Sequence, residues 1–357
     1  MRIIRVEAVP LQLRLREPYT IAYETVDTVY NVGLRLVTDT EHVGLGIVAP
    51  DEGVTGETPK DAARALKDVV EPLLHGADPL RRAVHNEPLF DALPSCPSVR
   101  SAVDAALYDI LGKVCGVPVT TLLGHYRTHM ATSMTVYIRP GDETVAQALL
   151  YVAEGFRAIK LKGGVDVEAD IERVLAVRAA IGPDIDLRFD ANQGYTASEA
   201  IHFSASVTSA RLSMLEQPTP ADQRRVLRDV TAATTTPVMA DESILSLGDA
   251  FFYARGDAMD MVNLKLVKVG GIDRAALING VARAAGLEVM VGCMDEAALS
   301  IAGGLAFALS RRNVEFADLD GHLDLLDDPT SAAVHLKEGC LYPSDQPGFG
   351  LVDFPVG

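Results

Sequence analysis

Hydrophobic and polar residues alternate along the first 50 positions, as they do in β-strands that bury one face. Two such runs, 32–37 and 42–48, flank a short polar stretch and predict paired antiparallel strands. Apolar positions then recur with helical spacing over 59–75 and 99–115. The beginning of the chain is therefore predicted to be an α+β module.

From about residue 130 onward, short β-rich runs alternate with longer amphipathic stretches. The predicted strands are 133–138, 158–162, 186–190, 213–215, 237–240, 261–265, 288–291 and 315–317. Helical patterns fill the intervals, for example 167–181, 273–285 and 296–310. Alternation through eight strands favours a closed α/β barrel over an open sheet. The tail, 325–357, contains scattered Pro and Gly and is predicted to return to the first module.

Composition and charge narrow the possible partners. The chain has 357 residues, 48% of them hydrophobic, which is enough for a barrel and a smaller domain. A net charge of −17 opposes binding to nucleic acid or to an anionic membrane. The four cysteines lack CxxC spacing, which indicates reduced thiols in a cytoplasmic protein. We expect no signal peptide and no membrane span, because the longest apolar stretch, 297–309, is too short.

Functional side chains in such barrels lie at the carboxyl ends of the strands. The second predicted strand ends in Lys160-Leu161-Lys162, and the two-residue strand period puts both lysines on one face. Neighbouring ammonium groups lower each other's pKa, which can free one amine as a base. Solvated lysines on an edge strand would give the same pattern, but a strand inside a barrel has no free edge.

Three carboxylates follow the next three predicted strands directly. Asp190, Glu216 and Asp241 are spaced by 26 and 25 residues, about one barrel repeat each. Three carboxylates about 5 Å apart would repel by roughly 10 kcal/mol in total at an effective dielectric near 20. A bound cation relieves that repulsion, and oxygen ligands without His or Cys indicate Mg²⁺, with Mn²⁺ as an alternative.

Lys265 ends the sixth predicted strand, across the barrel from Lys160 and Lys162. A metal ion between opposed lysines suits the removal of a proton from the carbon beside a substrate carboxylate. One lysine can take the proton and the other can return it on the opposite face, which inverts the centre.

These residues resemble the muconate-lactonizing branch of the enolase superfamily over nearly the whole chain. The matching stretches are Lys160-Leu161-Lys162, Asp190-Ala191-Asn192-Gln193-Gly194, Glu216-Gln217-Pro218, Ala240-Asp241-Glu242-Ser243, and Asn263-Leu264-Lys265 with Gly270-Gly271. The resemblance implies an α/β fold, namely a (β/α)7β TIM-like barrel over 126–324. An α+β capping domain over 1–125 precedes it, and the tail 325–357 packs on that domain.

The resemblance also implies roles for these residues. Asp190, Glu216 and Asp241 would be the Mg²⁺ ligands. Lys162 and Lys265 would be the acid–base pair, Lys160 would support the substrate carboxylate, and Lys268 would be secondary. Thr135, in the first barrel strand, is a further candidate substrate contact.

A narrower resemblance connects the chain with the dipeptide epimerases. Asp318-Leu319-Asp320 after the last strand resembles the motif that holds the free ammonium group of the dipeptide, and two same-side carboxylates suit a cation. A turn with solvated acids would give the same sequence. Glu296 also matches that group, whereas Asp295 stands where the Ala-Glu epimerases usually have an apolar residue.

Glu24 occupies the position at which Ala-Glu epimerases carry an arginine for the substrate glutamate. A carboxylate there would repel an acidic side chain, and Asp51 and Glu52 could extend the acidic rim. We therefore expect a dipeptide epimerase, an isomerase, whose substrate has a basic or neutral second residue. Alternatively, the Glu24 side chain points into water and does not contact the substrate. In that case Glu24 gives no reason to expect a basic or neutral second residue.

Other functions share the metal ligands and lysines. N-acylamino acid racemase, o-succinylbenzoate synthase and muconate cycloisomerase need no partner for a substrate ammonium group. A non-catalytic barrel that only binds a ligand is a further alternative, although every metal and lysine position is retained. The sequence also leads us to expect a homo-oligomer, by analogy with the family.

Overall fold

The computed structural model describes residues 1–20, 25–256, 258–350 and 352–354. A three-stranded antiparallel sheet begins the chain, with β1 at Ile3–Thr20, β2 at Thr25–Thr38 and β3 at Val43–Val48. Leu34 and Leu36 on β2 pack under the helices of the first module. Leu13 on β1 instead joins the core cluster of the barrel, so the long hairpin reaches across both parts of the molecule.

Helices cover one side of this sheet. They are α1 (Pro59–Ala65), a π-helical turn (Leu66–Val70), α2 (Glu71–Leu74), α3 (Arg82–Ala92), α4 (Pro97–Cys115) and α5 (Val119–Leu123). The single helix predicted over 59–75 is thus divided. Pro72 explains the division, because it has no N–H for the regular helical hydrogen bond.

Eight parallel strands form the barrel, in sequential order around it. After the two-residue strand β4 (Met130–Ala131), they are β5 (Met134–Val136), β6 (Ala158–Lys162), β7 (Asp186–Asp190), β8 (Leu215–Glu216), β9 (Val238–Ala240), β10 (Met261–Leu264), β11 (Glu288–Gly292) and β12 (Val314–Asp318). The Ser133 backbone N–H donates to the carbonyl of Ala317 at 3.1 Å, which links the last strand to the first.

α-Helices follow each barrel strand except β12, after which the described residues contain only a 3-10 helical turn, Ser331–Ala333. The α-helices are α6 (Gly141–Ala153), α7 (Val167–Ile181), α8 (Ala197–Ser206), α9 (Arg224–Ala233), α10 (Leu247–Ala254), α11 (Leu266–Val269), α12 (Ile272–Ala284) and α13 (Ala298–Ser310). α7 packs Ile171, Val174 and Val177 into the barrel core, whereas α13 is apolar on all sides and almost wholly buried. No helix in the described ranges is long and apolar enough to cross a membrane.

The tail adds a small sheet in which β14 (Cys340–Pro343) pairs with both β13 (Val334–Lys337) and β4. Before these strands, the Leu326 N–H donates to the carbonyl of Arg14 at 2.9 Å. After them, the carbonyl of Gly348 accepts from Val119 at 2.9 Å. These bonds join the tail to the first module. The domain limits at 125 and 324 stay predictions.

Candidate active site

A cavity of about 630 Å³ opens at the carboxyl ends of the barrel strands, beside the first module. Strand register explains why polar groups meet there. Lys162 pairs with Asp190 across β6 and β7, and Asp190 pairs with Glu216 across β7 and β8. Asp241 follows β9, the next strand around the barrel. The three predicted acids therefore occupy neighbouring strand ends, and all three are fully buried.

Lysine ammonium groups surround these carboxylates. The Nζ atom of Lys160 lies 3.1 Å from Asp190, 2.8 Å from Glu216 and 2.8 Å from Asp318. The Nζ atom of Lys162 lies 2.8 Å from Oδ2 of Asp190, the same oxygen that Lys160 contacts. The β6 side of the site is therefore a compact network of alternating charges.

The opposite side of the site has its own ammonium groups. Lys265, directly after β10, lies 2.8 Å from Asp241. Lys268, on α11, is fully buried and contacts both the carboxylate and the carbonyl of Asp241, and it also donates to the carbonyl of Asn263 at 3.1 Å. Lys162 and Lys265 thus contact different carboxylates, which lie at separate strand ends.

The charges and the burial shift several pKa values. Burial and the charge of Asp190 raise the pKa of Glu216 to about 8. Burial alone would raise the pKa of Asp241, but Lys265 and Lys268 hold it well below its usual value. The expectation that paired lysines lower each other's pKa is wrong for Lys160. Burial opposes its charged form, but the surrounding carboxylates raise its pKa well above normal.

The donor set fits a hard divalent cation. Three carboxylates on adjacent strands supply only oxygen ligands, which Mg²⁺ prefers. One oxygen of Glu216 and one of Asp241 have no contact beyond an ion pair, since they lie 2.8 Å from the ammonium groups of Lys160 and Lys265 respectively. Within the described ranges, however, no group of three or more His, Cys, Asp or Glu side chains is arranged so that it could hold a metal ion. Lysine ammonium groups stand beside the acids instead, so the repulsion predicted from sequence is already relieved in part.

A second layer of side chains orients the acids. The Asn263 amide donates to Glu216 at 2.8 Å. The Gln217 side-chain oxygen accepts from the backbone N–H groups of Asp241 at 2.9 Å and Ser243 at 3.1 Å. Both residues lie within the stretches that resemble the family, but no role was predicted for either from the sequence. The sequence feature that could have identified them is a polar residue within or directly after an otherwise apolar, buried strand.

Two family descriptions match successive parts of the chain. Residues 3–124 match the mandelate racemase / muconate lactonizing enzyme N-terminal domain. Residues 143–352 match the enolase C-terminal domain-like family. The chain belongs to the enolase superfamily. The predicted family and the predicted (β/α)7β barrel with an α+β capping domain are confirmed.

Characterised members of the enolase superfamily resemble the chain over nearly its full length. The L-Lys-D/L-Arg epimerase of Desulforapulum autotrophicum is 38% identical over 95% of this chain and 96% of that protein. The substrate-liganded L-Ala-D/L-Glu epimerase of Bacillus subtilis has a TM-score of 0.96 and 34% identity, covering 98% of each chain. The dipeptide epimerase of Methylococcus capsulatus, solved with Mg and L-Arg-D-Lys, has a TM-score of 0.93 and 33% identity, covering 99% of this chain and 100% of that one.

Asp318 and Asp320 both line the cavity of this enolase-superfamily barrel. Asp318 accepts a hydrogen bond from the Ser133 hydroxyl at 2.6 Å and contacts Lys160. Asp320 accepts from the backbone N–H of Thr135 at 2.7 Å. Burial and the charge of Asp318 raise the pKa of Asp320 to about 7. A cation beside this pair would therefore be stabilised.

Glu296 is turned into its own loop. One of its oxygens accepts from the Met294 N–H at 2.7 Å and the other accepts from the Ser300 hydroxyl. Burial raises the pKa of this carboxyl to about 7. Its neighbours Met294 and Asp295 line the cavity instead. The substrate role predicted for Glu296 therefore stays a prediction without a described contact.

The first module supplies the outer wall of the cavity. Asp51 lines it, and Glu52 lines an adjoining cavity of about 720 Å³ that shares Asp51 and Asp295. The Tyr19 hydroxyl donates to the Asp295 carboxylate. Glu24, the residue on which the predicted substrate charge depended most, lies outside the described residues.

Proposed function

We propose that this protein is a Mg²⁺-dependent dipeptide epimerase that inverts the α-carbon of the C-terminal residue of its substrate. The observation that carries the proposal is the pair of ammonium groups of Lys162 and Lys265, which stand beside different strand-end carboxylates. Four strand steps separate β6 from β10 in a barrel of eight, so their ends face a bound substrate from opposite sides. The similarity to dipeptide epimerases over nearly the whole chain supports the same reaction.

Within this proposal, Asp190, Glu216 and Asp241 hold the Mg²⁺ ion, for which Mn²⁺ could substitute. The ion, when bound, offsets the negative charge that develops on the substrate carboxylate as the α-proton leaves. Lys160 adds fixed positive charge to the same carboxylate, because it already lies between acids on three strands.

Lys162 and Lys265 move the proton. The unprotonated lysine accepts the α-proton on one face, and the protonated one donates a proton to the opposite face. Inversion needs both amines, because a single base would return the proton to the face from which it came. Both side chains line the cavity, where a substrate α-carbon can reach them.

Asp318 and Asp320 bind the free ammonium group of the dipeptide in this proposal, as two buried carboxylates suit a cation. Replacing Asp320 alone with Asn keeps its size, removes its charge and leaves the ion pair of Asp318 with Lys160 in place. A dipeptide epimerase should then lose at least 100-fold in kcat/KM for dipeptides. An N-acylamino acid racemase, an o-succinylbenzoate synthase or a cycloisomerase would keep nearly full activity on its own substrate, which has no ammonium group. Retained activity of that kind would overturn the dipeptide assignment.

We infer a basic or neutral second residue rather than an acidic one. Asp51 and Asp295 both face the cavity, and Glu52 lies in the adjoining space. These charges favour a Lys or Arg side chain and disfavour Glu. Similarity to an L-Lys-D/L-Arg epimerase at 38% identity supports this preference, although Ala-Glu epimerases resemble the chain nearly as closely.

The preference can be tested by comparing kcat/KM for L-Ala-L-Glu and for a dipeptide of Lys and Arg. We expect the cationic dipeptide to be favoured at least tenfold. Asp295→Asn should reduce kcat/KM for the cationic dipeptide at least fivefold and leave a neutral dipeptide within twofold. Asp345→Asn, on the exposed tail, is the matched control. Equal kcat/KM for the acidic and the cationic dipeptide would contradict the proposed charge preference. It would not contradict the proposal that the protein is an epimerase.

We also infer that the protein acts in the cytoplasm and associates with copies of itself. The four cysteines are free in the structure, which suits a reducing compartment. Light scattering coupled to size-exclusion chromatography tests the association. A single species at the mass of one chain would contradict it.

A further inference from the structure

A separate cavity of about 510 Å³ lies where the capping helices α3 and α4 meet α12 of the barrel. It is distinct from the active site, because the two lining sets share no residue. Its lining combines apolar side chains with two arginines and three acids. The lining includes Leu89 and Phe90 of α3, Arg100 of α4, Gly270 after α11, and Arg274 and Leu277 of α12.

Arg100 is the unusual member of this lining. It is 9% exposed, and its Nε atom is buried without a hydrogen-bond partner. Its guanidinium group stacks on Phe90, 4.4 Å from the ring centroid, and the guanidinium of Arg274 lies 3.7 Å from the same ring. Two positive groups therefore share one aromatic side chain, and the more buried of them has no ion pair within the described residues.

The acids of the cavity are engaged elsewhere. Glu87 pairs with Arg274 at 2.9 Å. Asp104 accepts from the Asn86 amide at 2.7 Å and from the Asp273 N–H at 3.0 Å. Asp273 accepts from the Tyr108 hydroxyl at 2.8 Å. None of these contacts satisfies Arg100.

A buried guanidinium N–H without a partner is costly, because the Nε atom of Arg100 has lost its hydration and gained no acceptor. Burial and the neighbouring charge of Arg274 accordingly lower the pKa of Arg100. An anion in the cavity would supply the hydrogen bond that this Nε atom lacks, in the plane that guanidinium groups prefer.

We propose that this cavity binds a small molecule whose carboxylate or phosphate group is held by Arg100. The apolar walls formed by Leu89, Phe90 and Leu277 favour a ligand with an apolar body behind the anionic group. Gly270 borders the same cavity and ends the turn that begins just after Lys265. The ligand would therefore contact the back of the segment that carries Lys265 and Lys268.

Isothermal titration calorimetry on the full chain with Mg²⁺ tests the proposal at constant ionic strength. The two probes are inorganic phosphate and 3-phenylpropionate, which separate a bare oxyanion from a carboxylate with an apolar body. We expect saturable binding of 3-phenylpropionate, weakened at least tenfold by Arg100→Met. Tighter binding of phosphate than of 3-phenylpropionate would contradict the role of the apolar walls. Arg255→Met is the matched control, because Arg255 also stacks on an aromatic ring, Phe251, but on the exposed surface.

A second variant keeps the proposal testable if Arg100→Met fails to fold. Ala83→Phe fills the cavity from its exposed edge and leaves the arginine in place, and it should also abolish binding. Binding unchanged in these variants would place the probe at the active-site lysines and overturn the proposal. Absence of binding to the folded wild-type chain would overturn it as well. Neither result depends on epimerase activity.

Discussion

Gln217 holds the end of the fourth barrel strand in an unusual backbone conformation. Its φ of 31° lies in the left-handed region, which non-glycine residues rarely adopt. Its side-chain amide donates to the carbonyl of Thr219 and to the hydroxyl of Ser243, both at 2.9 Å. Its oxygen accepts from the N–H of Asp241, so this one residue fixes the backbone at the predicted metal ligand.

Replacing Gln217 with Leu should destabilise the fold. The change leaves the N–H groups of Asp241 and Ser243 buried without an acceptor, at a cost of about 1–3 kcal/mol each. We expect the free energy of unfolding, measured in urea, to fall by about 2–5 kcal/mol. Gln346→Leu, on the exposed tail, should change it by less than about 0.5 kcal/mol. A loss below about 1 kcal/mol for Gln217→Leu would show that water or rearrangement satisfies these groups.

His322 gives the fold an acid-sensitive contribution. Burial lowers the pKa of this imidazole to about 4, although Asp328 opposes the shift, and its Nδ1 atom has no hydrogen-bond partner. The unfolded chain therefore binds a proton at higher pH than the folded chain does. Stability should fall as the pH drops from about 6.5 to about 4, by at most about 3 kcal/mol.

Thermal unfolding of wild type and His322→Asn across that pH range measures the contribution. As the pH falls, the wild type should lose more stability than the variant, because only the wild type has the buried imidazole. His75→Asn, at an exposed position, is the matched control. Parallel curves for wild type and His322→Asn would mean that the imidazole titrates normally.

At the scale of elements, strand β2 connects the capping domain to the active-site wall. The Asn31 amide donates to the carbonyl of Asp295 at 3.1 Å, and its oxygen accepts from the Ala297 N–H at 2.9 Å. Asn31 is almost fully buried, so no water replaces these bonds. The loop after β11 is thereby attached to the first module.

Asn31→Leu should loosen this attachment. We expect kcat/KM for the preferred dipeptide to fall at least tenfold, chiefly through KM, because Asp295 and Met294 lose their fixed position. Unfolding free energy should fall by about 2–3 kcal/mol from the unsatisfied backbone groups. Thr28→Val, on the same strand but outside this contact, is the control. Unchanged KM in Asn31→Leu would show that the loop is held by other contacts.

Local pattern was enough to predict several elements. The bounds of β6, β7 and α7 agree with the sequence reading, because each follows an uninterrupted apolar period between clear breaks. The pairing of Cys340 with Ala131 was not predicted. It joins segments distant in sequence, and short β-strands of this kind carry no periodic signal.

For the candidate site, the sequence was enough to predict which residues lie close together, but not which side chains contact each other. The two-residue strand period predicted that Lys160 and Lys162 share one face. The spacing along the chain predicted that the three acids lie at neighbouring strand ends. The partners of each lysine could not be read from the sequence, because they depend on strand register and side-chain direction. Glu296 illustrates the limit, since its contacts with Met294 and Ser300 arise only from the loop conformation.

At the scale of the whole molecule, a net charge of −17 attracts a cationic substrate. Raising the ionic strength from 10 to 150 mM shortens the Debye length from about 30 Å to about 8 Å and weakens that attraction. We expect kcat/KM for a dipeptide of Lys and Arg to fall at least threefold over this range. A neutral dipeptide should change by less than 1.5-fold. Equal salt dependence for the two substrates would contradict the electrostatic preference.

Two-sided proton transfer is the central claim, and hydrogen–deuterium exchange tests it most directly. Each epimer of the preferred dipeptide is incubated in D₂O with Mg²⁺ and with wild type, Lys162→Met or Lys265→Met, and α-deuterium is measured by mass spectrometry. Wild type should label both epimers and interconvert them. Each variant should lose interconversion and label only one epimer, and the two variants should label opposite ones. Labelling of the same epimer by both variants, or no labelling by wild type with any dipeptide or acylamino acid, would contradict the account.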